Sequence, residues 1–211
     1  KWTDQLILNF NTDIAYALTA FCAVTLFTPG PNNIMLMASG LNFGFRRTIP
    51  HMVAVPLGFA FMVISVGLGL GAAFHAWPAI FSTLKYVGAL YLIYLAWNIA
   101  NSGSMDTPDE IKGDPLTFLQ AASFQWINPK AWIMTVGAIS AYGEVSVFPY
   151  NVLLMSSLYG VLGFVSSGIW VAFGYTLKQF IKKPTTVRLF NCAVAILLVA
   201  TLYPIFVEDY G

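Results

Sequence analysis

Lys130 is the residue that most constrains the chemistry of this chain, because it is the one charge in the stretch between Asp114 and Glu144, which is otherwise largely apolar. A lysine at the centre of a membrane span costs on the order of 2.5 to 3.5 kcal/mol on insertion scales and needs a compensating partner. No Asp or Glu falls at comparable depth, so the available partners are backbone carbonyls freed by nearby prolines and a bound anion. Gln125 and Asn128 flank it, and Pro129 directly precedes it. A second polar interruption, Thr28-Pro29-Gly30-Pro31-Asn32-Asn33, lies inside another apolar stretch. Proline lacks an N–H and crowds the preceding turn, so a helix entering this run is expected to stop near Phe27 and restart at Asn32 to Ile34. Backbone groups freed at membrane depth are tolerated only where polar partners or a wet cavity satisfy them, and the restarted helix directs its positive end at that cavity. Pro29, Gly30, Pro31, Asn32, Asn33, Gln125, Asn128, Pro129 and Lys130 therefore form the candidate site for an anionic group such as a carboxylate. The plainer reading of each break is a proline kink, and that of Lys130 is a side chain snorkelling to a boundary. Two matching breaks weigh against both.

The elements that position these residues follow from where charge is absent. The chain has 211 residues, 58% of hydrophobic types and only 9% charged, against roughly a quarter charged in soluble domains. Residues 14–45, 48–84, 86–105, 115–129, 131–143, 145–177 and 189–207 carry no Asp, Glu, Lys or Arg. A bilayer-spanning helix needs about 20 apolar residues. Six spans are predicted, at about 14–41, 50–73, 79–100, 116–142, 148–173 and 187–207. The first is too long for a secretory signal, lacks a basic leader and is followed by more spans. Alternation in units of about 10 residues is missing, which disfavours a β-barrel.

Six spans put both termini on one side. One face then holds Arg46, Arg47, Lys112, Lys178, Lys182, Lys183 and Arg188, and the other only Lys1 and Lys85. Positive residues favour the cytoplasm, so both termini are expected outside it. The two interrupted spans are the first and fourth, and aligning Pro31 with Pro129 gives an offset of 98, while Leu57-Gly58-Phe59 with Leu162-Gly163-Phe164 gives 105. Three spans per repeat is odd, so the second repeat runs inverted. The organisation read from this is a repeat over 1–100, a polar cytoplasmic linker over 101–115 and an inverted repeat over 116–211.

The same counts exclude other classes. A net charge of +1 argues against nucleic acid. Two Cys and two His spaced far apart form no zinc site, and no cofactor motif is present. Asp13 and Glu144 lie near span ends, which leaves no paired carboxylates or nucleophile constellation at depth for an intramembrane enzyme. A membrane thiol–disulfide carrier needs symmetry-related cysteines, but Cys22 maps onto Gln120 and Cys192 onto Val87. Both read as small buried hydrophobes. A channel stays open as an alternative, since a broken-helix cavity also conducts ions or solutes in some proteins. Glycines of the second and fifth spans (Gly67, Gly69, Gly71, Gly160, Gly163, Gly168), with Ser156, Ser157, Ser166 and Ser167, read as close-packing faces. Trp77, Tyr86, Trp97 and Tyr203 read as headgroup anchors, and Trp126 and Trp132 as walls of the site. For proton coupling, His51 at the start of the second span is one candidate, otherwise an ordinary interfacial histidine. The other is Lys130 itself, alternately charged and neutral.

The run Thr28-Pro29-Gly30-Pro31-Asn32-Asn33, Gly44-Phe45-Arg46-Arg47 after the first span, and Gln125-x-x-Asn128-Pro129-Lys130 resemble the LysE/RhtB amino-acid exporters along the whole chain. The resemblance implies proton-driven efflux of amino acids or their derivatives across the bacterial inner membrane. Many members carry an acidic residue after the Leu-Gly of the second span, where this chain has Phe59. A cationic side chain would lack its partner there. With Gly44-Phe45-Arg46 and Leu57-Gly58-Phe59, the chain is more similar to the branch exporting cysteine and O-acetylserine.

Overall fold

The computed structural model describes residues 10–70, 78–104, 111–181 and 183–203. Eight α-helices are found among these residues: α1 (Thr12–Phe27), α2 (Pro31–Phe43), α3 (Phe45–Ser65, continued by a π-turn Val66–Leu70), α4 (Pro78–Ala100), α5 (Phe118–Phe124), α6 (Pro129–Tyr142), α7 (Tyr150–Phe180) and α8 (Pro184–Ala200). A two-residue antiparallel ladder, Gly103–Ser104 with Ile111–Lys112, stands in the polar stretch between α4 and α5. Lys1, Gly71, Trp77 and Lys182 lie outside the described residues.

Phe45–Leu70 and Tyr150–Phe180 are each long and apolar enough to cross a membrane, and α1 with α2, bent by 49° at their break, makes a third such length. The exterior is apolar: Leu119 is 74% exposed, Val161 65% and Leu189 70%. Such side chains in number suit a hydrocarbon solvent rather than water. Trp97 and Tyr203 are exposed near helix ends, as anchors require.

Helix α7 organises the interior, packing along both α2 and α3 and touching α1, while α4 pairs with α8. Small residues permit the closest of these crossings. A Cβ on Gly40 of α2 would collide with the carbonyl of Val171, and one on Gly174 of α7 with the carbonyl of Met37. Backbones this near leave no room for a side chain, which is the membrane use of glycine. Gly58 likewise lets α3 lie on the Ala122 backbone of α5, and Gly163 lets α7 lie on Pro56. Between α2 and α3 the chain turns on Gly44 at φ 82°, a conformation costly to any residue with a Cβ.

Polar pairs inside the packed helices are satisfied in two ways. Asn42 and Asn191 exchange amide hydrogen bonds at 2.9 Å each between α2 and α8, and Asn191 also donates to the Ser102 carbonyl at 2.7 Å. Tyr159 on α7 donates to the Met134 carbonyl of α6 at 3.3 Å. Cys22 is buried in the core around Met62 and Tyr159, as a small hydrophobe would be.

Candidate functional site

The backbone groups freed at the first break are met by side chains of the break itself and of α6 and α7. Helix α1 ends at Phe27, as expected, and α2 restarts at Pro31, one residue earlier than the sequence suggested, because proline fits the first helical position where its missing N–H costs nothing. Pro29 leaves the Thr25 carbonyl without its helical donor, and the Thr28 hydroxyl takes it at 3.0 Å. Asn33 reaches back to donate to the carbonyls of Leu26 at 2.7 Å and Thr28 at 2.8 Å. Ser166 on α7 gives Leu26 a second donor at 2.8 Å. The break is therefore an ordered turn held by side chains, not a loose kink.

The second break is built alike. Helix α5 tightens into a 3₁₀ turn at Gln125–Ile127, and α6 starts at Pro129 with Asn128 as its cap, the Asn128 carboxamide oxygen accepting from the Lys130 backbone N–H at 3.1 Å. Helix α6 then directs Lys130 across to the first break. Its ammonium donates to the Thr28 carbonyl at 2.9 Å, the Thr28 hydroxyl at 3.0 Å and the Pro29 carbonyl at 3.3 Å. An ammonium has three N–H groups, and here three acceptors meet them. Gly30 makes room: a Cβ there would stand 2.7 Å from the lysine Cδ and 3.0 Å from Nζ. Asn32 and Gln125 lock the two breaks together through reciprocal amide bonds of 2.8 and 3.2 Å, with Gln125 also donating to the Ala121 carbonyl at 2.9 Å.

These groups line one cavity of about 40 Å³, counted as the space open to the centres of water-sized molecules. A single water needs about 10–15 Å³ on that measure. Of the nine residues expected at the site, Gly30, Asn32, Asn33, Gln125, Asn128 and Lys130 line the cavity. Pro29 contributes its carbonyl to Lys130, and Pro31 and Pro129 set the helix starts around it. The N-termini of α2 and α6 both begin here, each equivalent to roughly +0.5 charge. With the ammonium they give the cavity a positive character suited to a carboxylate.

The structure also places three further sets of side chains. His51 is not part of this cavity; it is 1% exposed inside α3 and lines a different one. That cavity is otherwise bounded by residues of α2, α4 and Asp114–Leu116. Trp126 and Trp132 do not wall the site, since the Trp132 indole donates to the Trp126 carbonyl at 2.8 Å and their rings pack edge to face at 6.2 Å, outside the cavity lining. Ser166 and Ser167, read as packing residues, line the cavity with Phe59 and Thr25. Serines in a small-residue stripe carry no sequence mark separating packing from a site; only the crossing of α7 over the break does.

Replacing Asn33 by leucine removes donors from two carbonyls at once, each of which keeps one. At about 1 kcal/mol per hydrogen bond, Asn33→Leu is expected to lower stability by roughly 2 kcal/mol, read as a lower unfolding midpoint in detergent. An unchanged midpoint would mean that the break does not depend on this side chain.

An apolar exterior around a polar cavity with one ammonium, set between the starts of α2 and α6, is the layout of a membrane-embedded protein. The chain belongs to the LysE type translocators, whose family model matches residues 23–201. It is similar to the cysteine/O-acetylserine efflux protein of Escherichia coli strain K12, with 29% identity over 196 residues covering 90% of this chain and 96% of the relative. The protein of the same name from Salmonella typhi is 29% identical over 192 residues, with the same coverage. No solved structure matches the chain.

Proposed function

We propose that the chain is a secondary transporter exporting small zwitterionic amino acids or derivatives, cysteine and O-acetylserine among them, from the bacterial cytoplasm across the inner membrane. The observation that carries this is the Lys130 ammonium held at the meeting of two helix N-termini, with neutral amides on either side. A zwitterion presents a carboxylate to the lysine and an ammonium to carbonyls or amide oxygens. The apolar Phe59 in the lining suits a short uncharged side chain. The names of the relatives support the same substrate class.

The lysine's bonds suggest how substrate is gained and released. A carboxylate arriving at Lys130 competes with the Thr28 and Pro29 oxygens, and after it leaves, those oxygens take the ammonium back. The ion is thus never left bare in a dry cavity, which would cost several kcal/mol. The same exchange lowers the cost of each step between bound and empty states.

The reading includes six spans in two inverted repeats, 1–100 and 116–211 around the linker 101–115, with both termini outside the cytoplasm. Support comes from the likeness of the breaks, each with a proline at the first helical position and an asparagine side chain bonded to backbone, Asn33 back to α1 and Asn128 as the cap of α6. The Arg47–Asp114 ion pair at 2.7 Å lies on the face assigned to the cytoplasm. Coupling to protons is assigned to Lys130 in preference to His51, because Lys130 alone of the two lines the cavity.

Efflux from preloaded proteoliposomes, across a panel of amino acids with and without a pH gradient, tests substrate and coupling together. Saturable efflux of O-acetylserine, accelerated by the gradient, is expected; non-saturating flux would identify a channel instead. His51→Gln is expected to keep the response to the gradient and Lys130→Gln to lose it. Coupling intact in both variants would remove the single-residue proton model.

A further inference from the structure

A second cavity, of about 70 Å³ on the same measure, lies between α2, α3, α4 and the segment that follows the two-residue ladder. Its polar lining is Ser39, Asn42, His51, Asn98, Ser102 and Asp114. Most of these groups already have partners. Ser39 and Thr48 hydroxyls bond at 3.0 Å, the Asn42 amide is paired with Asn191, and Asp114 accepts from Arg47. His51 differs: it is 1% exposed, and neither ring nitrogen has a hydrogen-bond partner among the described residues. A neutral imidazole carries one N–H donor and one acceptor. Leaving both unmade in a packed interior is costly, so a histidine beside a polar cavity of this size points to a ligand that both accepts and donates.

We infer that this cavity is an intake site for the same amino-acid class, used before the substrate reaches Lys130, with His51 donating to the carboxylate and Asp114 facing the ammonium. The inference rests on the reading of the chain as an amino-acid exporter. Two features favour a zwitterion over water alone. The cavity offers a donor and a carboxylate, the two ends an amino acid needs, and His51 and Asp114 are the titratable groups of its lining among the described residues. It also shares helix α2 with the first site. Asn32 lines one cavity and Ser39 and Asn42 the other, which at 1.5 Å per residue separates Asn32 from Ser39 by about 10 Å along the axis. Both sites thus lie on one rigid half-helix, within a few molecular lengths of each other.

The test uses Ser39→Cys in a background with Cys22→Ala and Cys192→Ala, in inside-out vesicles treated with aminoethyl methanethiosulfonate. O-acetyl-L-serine, as the probe, is expected to slow modification at least threefold, and to do so equally when Lys130→Met disables the first site. His51→Leu should abolish this protection, and Asp114→Asn should weaken it; the latter residue is exposed, so this variant serves should His51→Leu fail to assemble. Protection that disappears with Lys130→Met would overturn the second site, leaving one site and the exporter reading intact. Protection that survives both His51→Leu and Asp114→Asn, or a thiol inert to the reagent in an efflux-competent protein, would also overturn it. A parent protein that neither exports nor is protected by any amino acid of the panel would instead remove the exporter reading, and this inference with it.

Discussion

Lys130→Met is expected to reduce O-acetylserine efflux to the background of protein-free liposomes while leaving the protein folded. Methionine keeps the length and apolar stem of lysine and loses only the ammonium. In the folded state that ammonium satisfies three oxygens at the first break, yet two of these have other partners: the Thr28 carbonyl accepts from Asn33, and the Thr28 hydroxyl donates to Thr25. Loss of the charge also relieves its burial cost, so the net change in stability should stay within about 1 kcal/mol. Binding is affected differently. A desolvated hydrogen-bonded charge pair contributes about 2–5 kcal/mol when one partner is removed, which corresponds to a loss of at least thirtyfold in affinity. Efflux kinetics and ligand-induced thermal stabilisation, measured on the same preparation, separate the two effects. Wild-type kinetics in Lys130→Met would remove the carboxylate site.

Gly174→Leu should have the largest effect on the fold. At this crossing the α2 backbone lies where a Cβ would be, against Met37 and Leu41, so a side chain cannot be accommodated by a change of rotamer. Helix α2 must move away from α7, and the helix that carries Asn32 and Asn33 moves with it. Overpacking a well-packed interior costs about 1–3 kcal/mol, and a collision with backbone lies at or beyond the upper end. The expected result is poor recovery of monodisperse protein, with Gly174→Ala intermediate. Gly168 on the same helix is the control, because a Cβ there meets nothing within 4 Å, and Gly168→Leu should be neutral. Equal behaviour of Gly168→Leu and Gly174→Leu would show that the crossing is not the cause.

Much of the site was legible in the sequence because it is made of local rules. Pro29, Pro31 and Pro129, each beside Gly or Asn, mark helix ends and starts that Pro50 and Pro56 inside α3 do not, and a charge-free window makes Lys130 conspicuous without any alignment. Partners at long range were not legible. That Gln125 bonds Asn32, 93 residues away, follows from how the two breaks are juxtaposed, and composition carries no trace of it. The same holds for Ser166 and Ser167, whose role depends on α7 crossing the first break at that height. The burial of His51 was not legible for a related reason. His51 opens the second span in the sequence, but burial is set by what surrounds a residue, and the pattern around position 51 does not show the cavity it shares with α2 and α4.

The neutral amide pairs have a consequence for how the protein would respond to voltage. Asn32 with Gln125, and Asn42 with Asn191, join segments before residue 101 to segments after 116 by dipoles that carry no net charge. Parting or re-forming them moves nothing through the transmembrane field, in which each elementary charge is worth about 2.3 kcal/mol per 100 mV. Within the first cavity Lys130 is the single charged side chain. A side-chain charge that moves with the protein returns at the end of each cycle, so with a zwitterionic substrate the net electrical work is that of any proton carried across, and the amide pairs add nothing to it.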